Sequence, residues 1–312
     1  MAGPLCVIFN PASGRNRAGK RLEQLGELWP GEVEFLPTER PGHAMELAEG
    51  AAESGRFESV AAAGGDGTAH EVANGLLRVA DSEVSLLVIP LGSANDYAWS
   101  LQQQFSLASS RGSDETSTGP HAVDVGLVDD GHGRKRYFIC NVGIGLNAAV
   151  TAESKRIGWL QGLPLYGLAA VRALMRQADI PTWTVIRDDQ PPVTGPGMAS
   201  SLLLGQREGN FHMAPRARLD DGWFDHVHAR KLSRVQALWT TLRIALSEPP
   251  TDHPEIEVGR CRSLQLTSDA PLCIHTDGEL FCVPDDQVRQ VKFSLLPLRL
   301  KVDVLNLKPS GK

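Results

Sequence analysis

The pentapeptide Gly64-Gly65-Asp66-Gly67-Thr68 constrains the fold most, because it joins two segments of different periodicity. Ahead of it, Ser59–Ala63 is a short apolar run of strand type. Behind it, Val72, Leu76 and Val79 recur at helical spacing. A chain passes from strand to helix in so few residues only through a tight turn, which glycine tolerates best. The same rhythm fills the first third. Leu5–Phe9 reads as a buried strand, followed by Leu22, Leu25, Leu28 and Trp29 on a helix. Glu32–Leu36 alternates, Ala44, Leu47, Ala48 and Ala51 form a helical stripe, and Val84–Ile89 is a fourth strand closed by Pro90. This alternation predicts a doubly wound, mostly parallel α/β domain with its ligands at the carboxyl ends of the strands.

From Gln102 to Pro120 the chain turns polar and rich in Ser, Gly and Thr, which predicts an exposed connection. Beyond it the pattern changes to short strand-like runs at residues 123–125, 137–141, 183–186, 200–204, 223–228, 263–267, 272–275 and 291–295. Turn signals separate most of them, and helical stretches interrupt at Gly158–Gln177 and Ser233–Ala245. The second part is therefore expected to be an antiparallel β-sandwich. The division expected is 1–122 for the α/β domain and 123–312 for the sandwich, with the last segment free to return to the first domain.

Composition narrows the partners. A formal charge of −6 argues against a nucleic-acid binder with a broadly basic surface. Five scattered cysteines without Cys-x-x-Cys spacing read as reduced thiols of a cytosolic protein, and Cys6 and Cys140 as core packing. No secretory leader is read at the N-terminus. The most apolar stretch, Ile157–Met175, is broken by Gln161, Gly162, Pro164 and Arg172, so no membrane span is expected.

The glycines of 64–68 let backbone N–H groups turn toward an anion at a helix N-terminus, which is a phosphate cradle. Asp66 beside phosphates calls for a Mg²⁺ or a reacting proton between them. A second loop, Pro90-Leu91-Gly92-Ser93-Ala94-Asn95-Asp96, follows the next strand and brings another carboxylate to the same rim. A third, Asn10-Pro11-Ala12-Ser13-Gly14-Arg15, follows the first strand, with Arg15, Arg17, Lys20 and Arg21 close by. Plain structure offers competing explanations: Thr68-x-x-Glu71 and Ser93-x-x-Asp96 each fit a capping box. Gly14–Lys20 also fits the start of a P-loop, but Arg21 stands where the Mg²⁺-binding hydroxyl is needed.

Taken together, these three loops resemble the nucleotide-site motifs of the diacylglycerol kinase catalytic-domain family, which includes bacterial lipid kinases and sphingosine kinases. The likeness continues through Val123-Asp124-Val125-Gly126, Phe138–Ala148, Ala214-Pro215 to Asp221-Gly222, and Asp277-Gly278-Glu279. It implies ATP contacts from Asn10, Thr38, Gly64, Gly65, Asp66, Gly67, Thr68 and Ser93. It implies Mg²⁺ organised by Asp66, Asp96 and Asp124, largely through water, and Asp277 or Glu279 as general base. A second, structural Mg²⁺ is implied at Asp221, helped by backbone carbonyls near Arg218 and Trp223. Three departures fall here: Ser93 replaces a common Thr, Asn147 replaces an Asp, and Arg207-Glu208-Gly209-Asn210 replaces a glycine-rich stretch.

Two lesser features carry alternatives. His226 and His228 put two rings on one strand face without an evident third metal ligand. Lys155–Leu168 is either a membrane- or lipid-facing helix or ordinary amphipathic packing. The expected activity is ATP- and Mg²⁺-dependent phosphorylation of a lipid hydroxyl, of diacylglycerol or a related long-chain alcohol. Its expected location is the cytoplasm, peripheral at the inner membrane face. The alternatives are a kinase of a soluble substrate, of NAD kinase type, and a silent nucleotide- or lipid-binding relative. The acceptor lipid and a homodimeric state stay open.

Overall fold

The computed structural model describes residues 3–11, 13, 22–23, 26–27, 29–106, 119–157, 163–176, 179–246 and 252–304. They fall into two compact units, Met1–Asp124 with Leu298–Lys312, and Val125–Pro297.

In the first unit, β1 (Leu5–Phe9) lies parallel to β2 (Val33–Pro37). Helix α1 (His43–Glu53) leads into β3 (Ser59–Gly64), which pairs in parallel with the other edge of β1. Helix α2 (Asp66–Arg78) and β4 (Ser85–Pro90) follow, β4 parallel to β3, and then the short α3 (Asp96–Leu101). The order β2-β1-β3-β4 reverses direction at β1, as in a doubly wound sheet. Leu5 to Ile8 and Val60 to Ala63 are almost wholly buried, which is why these strands are continuous apolar runs without alternation. Val302–Asp303, the end of the chain's last strand, pairs in parallel with Leu86–Leu87.

β5 (His121–Asp129) leaves the first unit at Asp124 and pairs antiparallel with β6 (Lys135–Phe138). Then come β7 (Asn141–Gly145), α4 (Leu146–Arg156), α5 (Leu163–Arg176), β8 (Thr182–Arg187), β9 (Val193–Pro196) and β10 (Ala199–Leu203). A small hairpin, β11 (Arg207–Glu208) with β12 (Phe211–His212), precedes β13 (Phe224–Ala229) and α6 (Arg234–Leu246). The chain closes through β14 (Ile256–Cys261), β15 (Ser263–Ser268), β16 (Ile274–Thr276), β17 (Glu279–Cys282) and β18 (Gln290–Asp303). One antiparallel sheet runs β14-β13-β10-β7-β16-β17; β18, β15, β8 and β9 pair antiparallel in another. Side chains of both sheets meet in the core. Phe138 stacks on Phe224 of β13 at 5.5 Å and meets Phe293 of β18 edge-on at 6.4 Å.

The chain is thus an α/β unit followed by an antiparallel sheet unit. Details differ from the sequence expectation. The strand expected over 137–141 breaks at Ile139-Cys140, because the N–H groups of both go to the Asp277 carboxylate and not to a neighbouring strand. Helix α4 and strands β9, β11, β12, β14 and β17 were not expected. Of the helix at Gly158–Gln177, only Leu163–Arg176 is described. Gln102–Ser106 forms a π-turn continuing α3; the remainder of the polar connection, 107–118, lies outside the described residues.

Candidate active site

Register alone gathers the first set of residues. Pro37, Phe9, Ala63 and Ile89 form one row across four parallel strands. One residue further stand Thr38, Asn10, Gly64 and Pro90, at the carboxyl edge of the sheet. Backbone bonds hold this edge: Thr38 N–H to Phe9 C=O at 2.9 Å, Asn10 N–H to Ala63 C=O at 3.2 Å, and Leu91 N–H to Gly64 C=O at 2.8 Å. Arg15, Arg17, Lys20 and Arg21, with the P-loop-like Gly14–Lys20, lie outside the described residues.

The two glycine loops lock into each other. A Cβ at Gly92 would collide with Gly65 Cα, and one at Gly64 would strike Thr68, which is buried. Glycine is therefore needed here for close approach of two backbones. Asp66 is the clasp. Its Oδ2 accepts the Asn95 N–H at 2.8 Å and its Oδ1 the Tyr97 N–H at 3.3 Å, bracketing the buried Asp96. Asn95 takes left-handed backbone at φ 53° and bonds Gly92 through both side-chain atoms, at 2.9 and 2.8 Å. The carboxylate of Asp66 thereby satisfies orphan donors at the start of α3 from outside that helix.

Neither capping box forms. Helix α2 has Gly65 as its N-cap without a side-chain cap, and Glu71 instead accepts the Gly42 and Ala44 N–H groups at 2.9 and 3.1 Å. Helix α3 starts from Asn95, not Ser93. Ser93 stands exposed in the second loop. Local capping boxes therefore do not account for Thr68, Ser93 or Asp96, while Glu71 serves as a cap for α1. Asp124 is fully buried, and its Oδ1 accepts the Leu298 N–H at 2.8 Å, fastening the point where the chain re-enters the first unit. Among the described residues, no three His, Cys, Asp or Glu side chains are grouped to hold a metal directly.

In the second unit the two candidate bases differ sharply. Asp277 is buried, and its two oxygens accept the N–H groups of Ile139, Cys140 and Asn141 at 3.0, 2.8 and 2.9 Å. Glu279 is 43% exposed in its side chain and pairs with Lys155 of α4 at 2.6 Å. Asp277 and Gly278 both have positive φ, so they form the tight turn that presents Glu279 at the start of β17.

Two of the three sequence departures, Asn147 and the 207–210 stretch, turn out to be connected. Ser201, Gly143 and His275 lie in one row across β10, β7 and β16. The missing side chain at Gly143 leaves room for the Glu208 carboxylate. Glu208 bonds Ser201 Oγ at 2.5 Å and His275 Nε2 at 3.0 Å, and Asn147 donates to the same Ser201 Oγ at 2.7 Å. Asp at position 147 would set a second carboxylate beside Ser201, so a neutral Asn accompanies Glu208. His275 Nδ1 accepts the Gly278 N–H at 3.3 Å, tying this network to the turn before Glu279.

At Asp221 a protein cation is already in place. Its Oδ1 accepts the Trp223 N–H and its Oδ2 meets Arg260 Nη1, both at 3.2 Å. Arg260 also reaches Asp225 Oδ1 at 3.2 Å and the Arg216 carbonyl at 3.4 Å, while Arg218 pairs with Asp220. The Asp221 carboxylate is thus held by a backbone N–H and a guanidinium. His226 and His228 are buried with their pKa values pushed down to about 4, first by burial and then by Arg187. They are neutral core rings.

Sequence reasoning missed Asn95 as a loop organiser, and also Lys155, Glu208, His275 and Arg260. Only Asn95 left a signal, an Asn directly before a helix where left-handed backbone is tolerated.

A parallel sheet whose carboxyl edge carries interlocked glycine loops and two carboxylates, followed by an antiparallel sandwich, is the plan of a phosphotransferase. The chain belongs to the diacylglycerol kinase family. Residues 4–127 match the diacylglycerol kinase catalytic domain, and residues 140–302 match the YegS C-terminal NAD kinase beta sandwich-like domain. It is 28% identical over 286 residues to a diacylglycerol kinase of Staphylococcus epidermidis, covering 88% of this chain and 84% of that one. It is 27% identical over 292 residues to one of Staphylococcus saprophyticus, covering 88% of each. A crystal structure of a diacylglycerol kinase from Bacillus anthracis superposes with a TM-score of 0.67 at 18% identity, covering 97% of both chains; it supports the fold. No helix among the described residues is long and apolar enough to cross a membrane.

Proposed function

We propose that this protein transfers the γ-phosphate of ATP to the hydroxyl of a membrane lipid of the diacylglycerol type. The observation that carries the reading is the clasp of Asp66 across Asn95 and Tyr97, which brings both glycine loops and Asp96 to one sheet edge. The N-terminus of α2 offers N–H donors and a partial positive charge to the phosphates. Asn10, Thr38, Gly64 to Thr68 and Ser93 would line the nucleotide. Asp66 and Asp96 would hold Mg²⁺ through water, and the ion would neutralise the developing phosphoryl charge.

Glu279 is the general base in this reading, because its carboxylate reaches solvent while that of Asp277 is committed to three backbone donors. Glu279 takes the proton of the acceptor hydroxyl as that hydroxyl oxygen bonds to the γ-phosphorus and the bond to the leaving ADP breaks. Lys155 holds the carboxylate in place until the acceptor arrives. Asp277 acts through the backbone, as a positioning residue for the turn.

The deciding experiment supplies γ-labelled ATP and Mg²⁺ with diacylglycerol in mixed micelles, and in parallel with NAD. Label in a chloroform-soluble product supports the lipid reading. Label on NAD alone would replace it with the soluble-substrate one.

A further inference from the structure

Helix α6 presents its apolar side outward. Inward stand Ala237 and Thr240, both buried, while Ile244 packs against the cluster around Leu203 and Met213. Outward stand Val235, Leu238, Trp239 and Leu242, which are 79%, 46%, 62% and 48% exposed. That is i, i+3, i+4, i+7, the spacing a globular helix ordinarily turns to its core. Helix α5 touches α6 and does the same on a smaller scale. Ala169, Ala170, Ala173 and Leu174 face inward, and Val171 and Met175 face out. Among the described residues, six of the ten exposed large apolar side chains lie on these two helices.

Charge is biased as well. Helices α5 and α6 contain Arg172, Arg176, Arg234 and Arg243 and no Asp or Glu, in a chain whose net charge is −6. Nearby, the buried Glu153 is met by two guanidinium groups, those of Arg156 and Arg176. An apolar stripe with a Trp, flanked by helical arginines of which Arg243 also meets Asp252 at 3.8 Å, matches the headgroup zone of an anionic bilayer, where a tryptophan ring sits well and arginine meets lipid phosphate.

We propose that the α5–α6 face docks the protein on an anionic membrane surface, with Val235, Leu238, Trp239 and Leu242 entering the headgroup layer. This deepens the lipid-acceptor reading, on which its purpose rests.

The test is sedimentation of the full chain with vesicles of phosphatidylcholine alone or mixed with phosphatidylglycerol. Wild-type protein should partition onto the anionic vesicles, less so as salt rises. The double variant Trp239→Ser, Leu242→Ser should lose at least about tenfold in partition. Its melting temperature and its rate on a short-chain diacylglycerol free in solution should not change, since both side chains are exposed. Partition of the variant equal to wild type would overturn the proposal. So would a wild-type dimer that the variant splits while vesicle binding persists, because the stripe would then be a subunit interface. Failure to label any lipid would remove the kinase reading instead, leaving vesicle partition to decide the docking face.

Discussion

The Glu279 carboxylate meets the Lys155 ammonium at 2.6 Å, an ion pair between the start of β17 and the end of α4. Both partners are about half exposed, so the pair adds little to stability; its effect is on orientation. Glu279→Gln should leave the melting temperature unchanged and lower kcat by roughly 10²–10⁴-fold. Asp277→Ala should instead unfold early, since each buried N–H left without an acceptor costs about 1–3 kcal/mol. Paired melting curves and initial rates check both. Full activity in Glu279→Gln would remove it as base.

Gly92→Ala changes no polar group yet places a methyl against Gly65 Cα. Separation of the two loops should cost about 1–3 kcal/mol. Nucleotide affinity should fall with it, because the Asp66 clasp depends on that approach. Thermal unfolding with and without ADP reads the two effects together.

Arg260 already bridges Asp221 and Asp225. Without nucleotide, the melting temperature of the wild type should be the same in chelator and in millimolar Mg²⁺. Arg260→Met leaves two facing carboxylates and should become Mg²⁺-responsive, with the response lost when Asp221→Asn is added. A wild-type shift that disappears in Asp221→Asn would contradict the guanidinium's role.

His226 and His228 carry pKa values near 4 in the folded chain, against about 6.5 unfolded. Their folded values are depressed, so below pH 6.5 the unfolded chain binds protons that the native one refuses. Stability should therefore fall as pH drops from 6.5 toward 4, by up to about 2 kcal/mol per ring at pH 5. Denaturant titrations at pH 7.5 and 5 check this, and His228→Gln should flatten the slope.

How far the sequence was legible follows from the range of the interactions. The carboxyl edge was readable because parallel strands bury both faces and end in glycine or polar loops. Asn10, Thr38 and Gly64 then align by register alone. Glu71 and Ser93 misled, since a local capping pattern cannot reveal that Glu71 caps α1, 27 residues away at Ala44. The two candidate bases stayed unresolved for a similar reason. Asp277 and Glu279 are alike in sequence, and only the fold shows that the 139–141 backbone occupies the first. Arg260 sits on an edge strand that the charged pattern of 256–261 concealed. Its partners lie across the antiparallel ladder on β13, which α6 separates from β14 in the chain, and in the loop before β13.

The rim of the first unit is tested most directly by calorimetric titration of a non-hydrolysable MgATP analogue into the wild type and into Asp66→Asn. Expected is one site in the wild type and at least about a tenfold weaker one in the variant, with the fold intact by circular dichroism. Equal affinity in both, or no binding to the wild type, would contradict a triphosphate held at Gly64–Thr68.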